Sequence, residues 1–375
     1  MVAADSVNAV RAAVVRQKGG PFIIETLQLE DPRADEVLVR IVSAGMCHTD
    51  MVVRDQVYPV PQPIVLGHEG AGIVEKVGSN VVKVQPGDHV VLTFMSCGRC
   101  RWCEQGRPNN CLDFNAHNFS GARADGTGSL RDERGPVHDH FFGQSSFSTF
   151  AVANERNVVK VRKDAPLELL GPLGCGIQTG AGAVMNALKV GHGASLAVFG
   201  AGAVGLSAVM AAHAVGATTI IAVDVVPSRL VLAKELGATD AVNAKECNPV
   251  EALRTISGGG VQFSLETTGL PEVVRQAVDA LGVRGVCGIV GASPPGTDVR
   301  IDITDFMQMA KTMYGIIEGD SVPDVFIPQL LDLFLQGRFP FDKLAKFYPF
   351  DRINEAARDS EHGMTVKPII RIGKA

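Results

Sequence analysis

Residues 195–205 read SLAVFGAGAVG, and this stretch decides half of the fold. Ser195 to Phe199 is an apolar run of strand length. It passes without a linker into Gly200-Ala201-Gly202-Ala203-Val204-Gly205, which opens a helical stretch of Ala, Val, Leu and Met. Glycines here permit a tight turn, let backbone approach a pyrophosphate and let helix and strand pack closely, while the helix start offers N–H groups to phosphate. A turn of this kind alone is a weak signal, and its context strengthens it. The next apolar run, Thr218 to Val223, ends in Asp224, where a carboxylate accepts bonds from both ribose hydroxyls; the expected offset is roughly 20 residues. That carboxylate repels a 2′-phosphate, so NAD rather than NADP is predicted. Arg229, one helical turn into the following element, is the residue type that receives such a phosphate, and Asp224 is weighed above it.

Outward from this turn, strand-like and helix-like stretches alternate: Ser228 to Leu236, Phe263 to Glu266, Glu272 to Leu281 and Gly285 to Val290. Such alternation makes a parallel sheet with crossover helices. Before about Phe150 the texture differs, with short Val/Ile runs such as Glu36 to Val42 and His89 to Leu92 punctuated by Gly and Pro. After about Glu318 the chain carries Pro323, Pro328, Pro340 and Pro349 and leaves the repeat. The tail is expected to pack on the first region. The prediction is an α/β chain of two domains, one discontinuous, as 375 residues exceed the size at which a single core stops growing.

Hydrophobic residues make up 46% and charged residues 20%, which excludes a disordered chain. A net charge of −5 gives no reason to expect nucleic acid or an anionic membrane as partner. Met1 to Lys18 lacks the apolar core of a signal peptide, being broken by Asp5, Arg11 and Arg16, and no run is long enough to span a bilayer. A cytoplasmic protein is therefore expected, and its eight cysteines need an explanation other than disulfides.

Cys97, Cys100, Cys103 and Cys111 supply part of that explanation. Four thiolates satisfy tetrahedral zinc and leave no position open, so this is a structural site. Iron–sulfur ligation also uses clustered cysteines and stays open at this point. Four idle core thiols do not fit, because Gly98, Arg99, Arg101 and Glu104 make the segment too polar for a core strand. Cys47, His68 and Cys175 stand apart from the cluster. A catalytic zinc takes three protein ligands and keeps one position open, and two Cys with one His is a recognised set.

Gly67-His68-Glu69-x2-Gly72-x5-Gly78-x2-Val81 resembles the signature of the zinc-containing alcohol dehydrogenases of the medium-chain dehydrogenase/reductase family. The four clustered cysteines, Gly174-Cys175-Gly176 and the dinucleotide turn follow in that family's order, collinear from about Arg11 to the C-terminus. The resemblance implies a GroES-like β-rich catalytic domain at 1–176 and 319–375 and a Rossmann coenzyme domain, doubly wound on a parallel sheet, at 177–318. It further implies two Zn2+ per chain, one of them held by Cys47, His68 and Cys175. Glu69 would lie behind the metal, and Asp50 would orient the ligating His68. The cofactor would be contacted by Gly200, Gly202, Val204, Gly205, Asp224, Arg229, Thr179 and Val290, with His48 and Lys367 as cationic phosphate contacts. A homodimer or homotetramer is implied as well.

Phe142-Gly143-Gln144-Ser145-Ser146-Phe147 and Gly315-Ile316-Ile317-Glu318-Gly319-Asp320 look most like the aryl-alcohol, or benzyl-alcohol, members. The implied reaction oxidises a primary alcohol, aromatic in type, to the aldehyde: zinc lowers the hydroxyl pKa, hydride passes to NAD, and the Thr49 hydroxyl carries the proton. Several relatives continue that relay through a His three residues on, where this chain has Val52. The pocket is expected to be lined by Thr93, Ala292 and Ile317, with apolar residues near Phe119 and Phe142. The rival enzyme readings are dehydrogenases of medium-chain alcohols or of S-hydroxymethylglutathione. A rival of another class is a zinc protein that binds nucleotide without catalysis.

Overall fold

The computed structural model describes residues 8–374; the first seven residues of the N-terminal stretch, considered above for targeting, lie outside that range. The chain divides into two compact units. The first runs to Cys175 and takes up the chain again at Val322–Leu331 and from Asp342 onward. The second holds Gly176–Ser321 and Asp332–Phe341. Within residues 332–341, Phe334 and Phe339 pack on Phe341, and Arg338 ties the segment to that unit by donating to the Ala214 carbonyl.

The first unit is organised on the strand Glu36–Gly45. It pairs antiparallel with Glu69–Val77, Phe150–Asn154 and Lys367–Arg371. The sheet continues outward through His89–Leu92 to Val158–Val161 on one side and to Ala345–Pro349 on the other. With partners along both edges, the central strand buries every residue except half-buried Arg40, which is why its sequence reads as a near-continuous apolar run. It extends past the expected Val42 to Gly45 and so delivers the chain directly to Cys47. A second sheet of five strands, with Asn8–Val15 against Phe22–Leu29 at its centre, encloses a core rich in phenylalanine.

The second unit is a six-stranded, all-parallel sheet. Its spatial order is Asp240–Asn243, Thr219–Asp224, Ser195–Phe199, Val261–Glu266, Leu281–Ile289 and Thr312–Gly315. This is the doubly wound Rossmann order, reversing at Ser195–Phe199. The helix predicted over 272–281 stops at Asp279, because Leu281 already pairs with Val261 in the sheet. Asp240–Asn243 and the helix Pro249–Ser257 are not anticipated from the sequence: the strand has only four residues, and the helix start depends on Asn248 accepting from the Val250 and Glu251 amides. Among the described residues no helix is long and apolar enough to cross a membrane.

Candidate functional site

Cys47 caps the helix His48–Arg54, and Asp50 in that helix's first turn fixes the neighbourhood. Its Oδ2 accepts from the Cys47 amide at 2.9 Å, while its Oδ1 accepts from the Gly67 amide at 3.1 Å and faces His68 Nδ1 at 2.9 Å. One buried carboxylate thus sets both the thiol and the imidazole. Gly67, at φ +92°, lies against Phe147, where a side chain would strike ring and backbone. Cys175 follows the turn Gly171–Gly174, which sits so close to the start of strand Glu69–Val77 that a Cβ at Gly171 would collide with the Glu69 carbonyl.

The ligand atoms of Cys47, His68, Glu69 and Cys175 all lie within 4.8 Å of one another. His68 is fully buried, yet its Nε2 has no hydrogen-bond partner. An orphaned buried nitrogen beside two thiols is what a Cys2His metal site requires, so the residues fit a zinc ion. The Cys47 thiol is drawn well below its ordinary pKa by its hydrogen bond to Cys175, with His68 and Lys367 adding to the effect. Burial works against charge on His68, but Asp50 outweighs it and raises the imidazole well above its usual value. Thr49 places its hydroxyl 3.7 Å from Cys47 Sγ, and His48 is exposed.

Lys367 corrects an expectation. Read from the sequence as a phosphate contact, it is buried, and its ammonium donates to both Glu69 oxygens at 2.9 Å and to the Met46 carbonyl at 3.2 Å. Burial opposes its charge, and Glu69 overrides that and raises its pKa. Its donors therefore hold the carboxylate beside Cys47, His68 and Cys175. Thr93 is a second correction: it is fully buried and its hydroxyl donates to the Gly174 carbonyl at 2.7 Å, so it presents no lining surface.

Phe141 and Phe142 wall the imidazole, with ring centroids 5.3 and 4.6 Å from His68; Phe119 packs on both, and Phe114 on Phe142. The backbone here is strained, with left-handed φ at His140, Phe142 and Ser145. Side chains that sequence reasoning missed hold it. Gln144 donates to the carbonyls of His68 and Thr93 and accepts from the Gly70 amide. Asn157 donates to the carbonyls of Phe142 and Gly143. Their polar side chains carry no spacing that announces such roles. Burial disfavours charge on His140, but Asp139 at 2.5 Å lifts it to about 9.

The sulfurs of Cys97, Cys100, Cys103 and Cys111 also lie within 4.8 Å of one another. Cys103 is 3.9 Å from Cys97 and 3.6 Å from Cys100, and backbone amides of Cys97 and Cys100 point at cysteine sulfurs. A tetrahedron with Zn–S bonds of about 2.3 Å has S–S edges of about 3.8 Å. The cluster fits that ion with no position left over. All eight cysteines are free of disulfides.

In the second unit, Gly200 adopts φ +93°, a Cβ at Gly205 would collide with the Gly200 carbonyl, and a Cβ at Gly202 would meet open space. The tight turn, the close helix packing and the open face for a phosphate are thus divided among the three. Asp224 ends its strand at the same edge; Oδ2 accepts from the Ala201 amide at 2.6 Å and Oδ1 from the Val225 and Val226 amides. The Nε of Arg229 is buried without a partner. Val290 donates its amide to Glu266, and the Thr179 hydroxyl lies 3.4 Å from Glu318. Ala292 and Ile317 are both exposed.

Known proteins share this arrangement. The sequence model of the zinc-binding dehydrogenases matches residues 203–336, and that of the alcohol dehydrogenase GroES-like domain matches residues 33–163. Geraniol dehydrogenase of Castellaniella defragrans is 50% identical over 364 residues, covering 96% of this chain and 97% of that protein. A solved alcohol dehydrogenase zinc-binding domain protein from Burkholderia ambifaria is 61% identical, with TM-score 0.96 over 98% of this chain and 99% of that one. The benzyl alcohol dehydrogenase structure from Acinetobacter calcoaceticus is 55% identical, with TM-score 0.95 over 97% and 99%.

Proposed function

This chain belongs to the zinc-containing medium-chain alcohol dehydrogenases, and from that premise we propose that it oxidises a hydrophobic primary alcohol of benzyl type to the aldehyde with NAD as acceptor. The observation that carries the reading is the phenylalanine wall, Phe141 and Phe142 with Phe119 behind them, laid against the orphaned His68. Aromatic rings favour a flat, apolar substrate group. The benzyl alcohol dehydrogenase of Acinetobacter supports it. A second reading, an allylic alcohol such as geraniol, draws on the Castellaniella relative; its carbinol carbon likewise adjoins a π bond.

When bound, Zn2+ supplies the Lewis acidity that lowers the pKa of an alcohol hydroxyl, and NAD supplies the hydride acceptor. Cys47, His68 and Cys175 would hold the ion, and Asp50 fixes the imidazole so that Nε2 faces inward. Glu69 stays behind them, tied to Lys367. Thr49 is the hydroxyl that takes the substrate proton, and Val52 carries it no further along that helix. The phenylalanines exclude water. Cys97, Cys100, Cys103 and Cys111 would hold a second zinc, for two per chain. His48 is left as the cationic phosphate contact.

Free thiols throughout favour a cytoplasmic home. Self-association is favoured by the edge strand Thr312–Gly315 and by the helix leading into it, where Ile303 and Met307 are 80% and 66% exposed. The test is an initial-rate panel of benzyl alcohol, geraniol, hexanol, ethanol and S-hydroxymethylglutathione with NAD and with NADP. The expected outcome is highest kcat/KM for benzyl alcohol with NAD. Highest values for ethanol or the glutathione adduct, or for NADP, sink the assignment.

A further inference from the structure

The last strand of the parallel sheet, Thr312–Gly315, leads within a few residues to a carboxylate that is only 7% exposed, Glu318. Its position relative to a dinucleotide follows from topology. Strand order reverses at Ser195–Phe199, and a dinucleotide lies across that point, its pyrophosphate on the glycine turn and its two nucleosides on opposite sides. Asp224 claims the adenosine ribose for one side. The nicotinamide then falls on the other, beyond Val261–Glu266, Leu281–Ile289 and Thr312–Gly315. Thr179 packs beside this turn, where a Cβ at Gly319 would collide with the Gln178 and Thr179 carbonyls, and its helix is so close to the phosphate-binding helix that a Cβ at Gly180 would collide with the Val204 carbonyl. Glu318 Oε2 is 3.4 Å from the Thr179 hydroxyl.

The backbone that brings Glu318 there is unusual. Glu318, Gly319 and Asp320 have φ of +50°, +66° and +47°, three left-handed residues in succession, two of them not glycine. Such conformations persist where the surroundings over-determine them, and they gather at ligand sites. Here Ser321 Oγ donates to the Glu318 carbonyl at 2.6 Å, Asn186 Nδ2 to the Gly319 carbonyl at 3.2 Å, and the Tyr314 hydroxyl to the Asp320 carboxylate. A relaxed turn would aim Glu318 elsewhere.

We infer that Glu318 is a positioning residue for the nicotinamide half of the cofactor: it anchors Thr179 and, as a carboxylate on the side where the oxidised ring is cationic, favours NAD+ over NADH relative to a neutral side chain at that position. The nicotinamide ring loses its positive charge on accepting hydride, and a carboxylate in a poorly solvated setting favours the cationic form. The inference rests on the dehydrogenase reading above.

Calorimetric Kd values for NAD+, NADH and ADP-ribose test it on the zinc-loaded protein. ADP-ribose carries everything except the ring. In Glu318→Gln, NAD+ is expected to weaken about tenfold, with NADH within twofold and ADP-ribose unchanged. Glu318→Asp, which keeps the charge, should preserve the NAD+/NADH ratio better than Glu318→Gln. Equal losses of NAD+ and NADH, or a ratio that Glu318→Gln and Glu318→Asp move alike, overturn the inference alone. A wild-type protein that binds none of the three overturns the dehydrogenase reading along with it.

Discussion

Cys97, Cys100, Cys103 and Cys111 come from one short loop, whereas Cys47, His68 and Cys175 come from a helix start, a strand start and a turn spread between residues 47 and 175. The loop cluster is all sulfur, with Cys103 at 3.9 Å from Cys97 and 3.6 Å from Cys100 and neighbouring amides bonded to the sulfurs. The dispersed set is mixed and, apart from half-buried Cys47, buried, with one nitrogen left over and a neighbouring carboxylate bonded to a lysine. The difference teaches what each is for. A local, closed cluster cross-links a segment with little core of its own. A set drawn from three distant elements exists only once the sheet is formed, and it can leave one position for a substrate.

Three variants would break or sharpen that contrast. The largest effect is expected for His68→Ala, which removes a ligand of the open set: turnover should fall roughly a thousandfold, about 4 kcal/mol, with the thermal transition little changed and one zinc per chain lost. A variant that retains turnover removes this set from the chemistry. Cys103→Ser attacks the closed cluster, so the loss should appear in stability. The expected fall in Tm is roughly 10 °C, while kcat per folded chain stays within about threefold at low temperature. A collapse of kcat with unchanged Tm would reverse the two roles. The smallest effect belongs to Asp50→Asn, which leaves every ligand in place but weakens the grip on His68. Zinc affinity at the open set should drop about 10- to 100-fold in competition with a chelator, with the four-cysteine site unaffected. Equal loss at both sites would show that the two are not independent.

Much of the second unit is legible in the order of its residues, because its signals are local. Ser195–Phe199 forms the predicted strand, and Asp224 ends the next one. Each depends on neighbours a few residues away. Lys367 defeats such a reading for the opposite reason: its partner, Glu69, lies far off in sequence and meets it only because Lys367–Arg371 pairs with Glu36–Gly45, which in turn pairs with Glu69–Val77. Thr93 defeats it too, since nothing in the order of residues says that its hydroxyl faces the Gly174 carbonyl.

Sequence by itself determined the dinucleotide turn and the four-cysteine loop, since spacing within a turn or loop constrains geometry directly, whereas Cys47, His68 and Cys175, far apart in the chain, were picked out by the resemblance of the motifs around them to a known family. Only the tertiary structure decided that Asp50 governs both Cys47 and His68, that Gln144 and Asn157 hold a strained phenylalanine wall, and that Glu318 is buried beside Thr179. Those contacts join residues whose separation is set by strand pairing and burial, and strand pairing is a property of the whole sheet rather than of any segment.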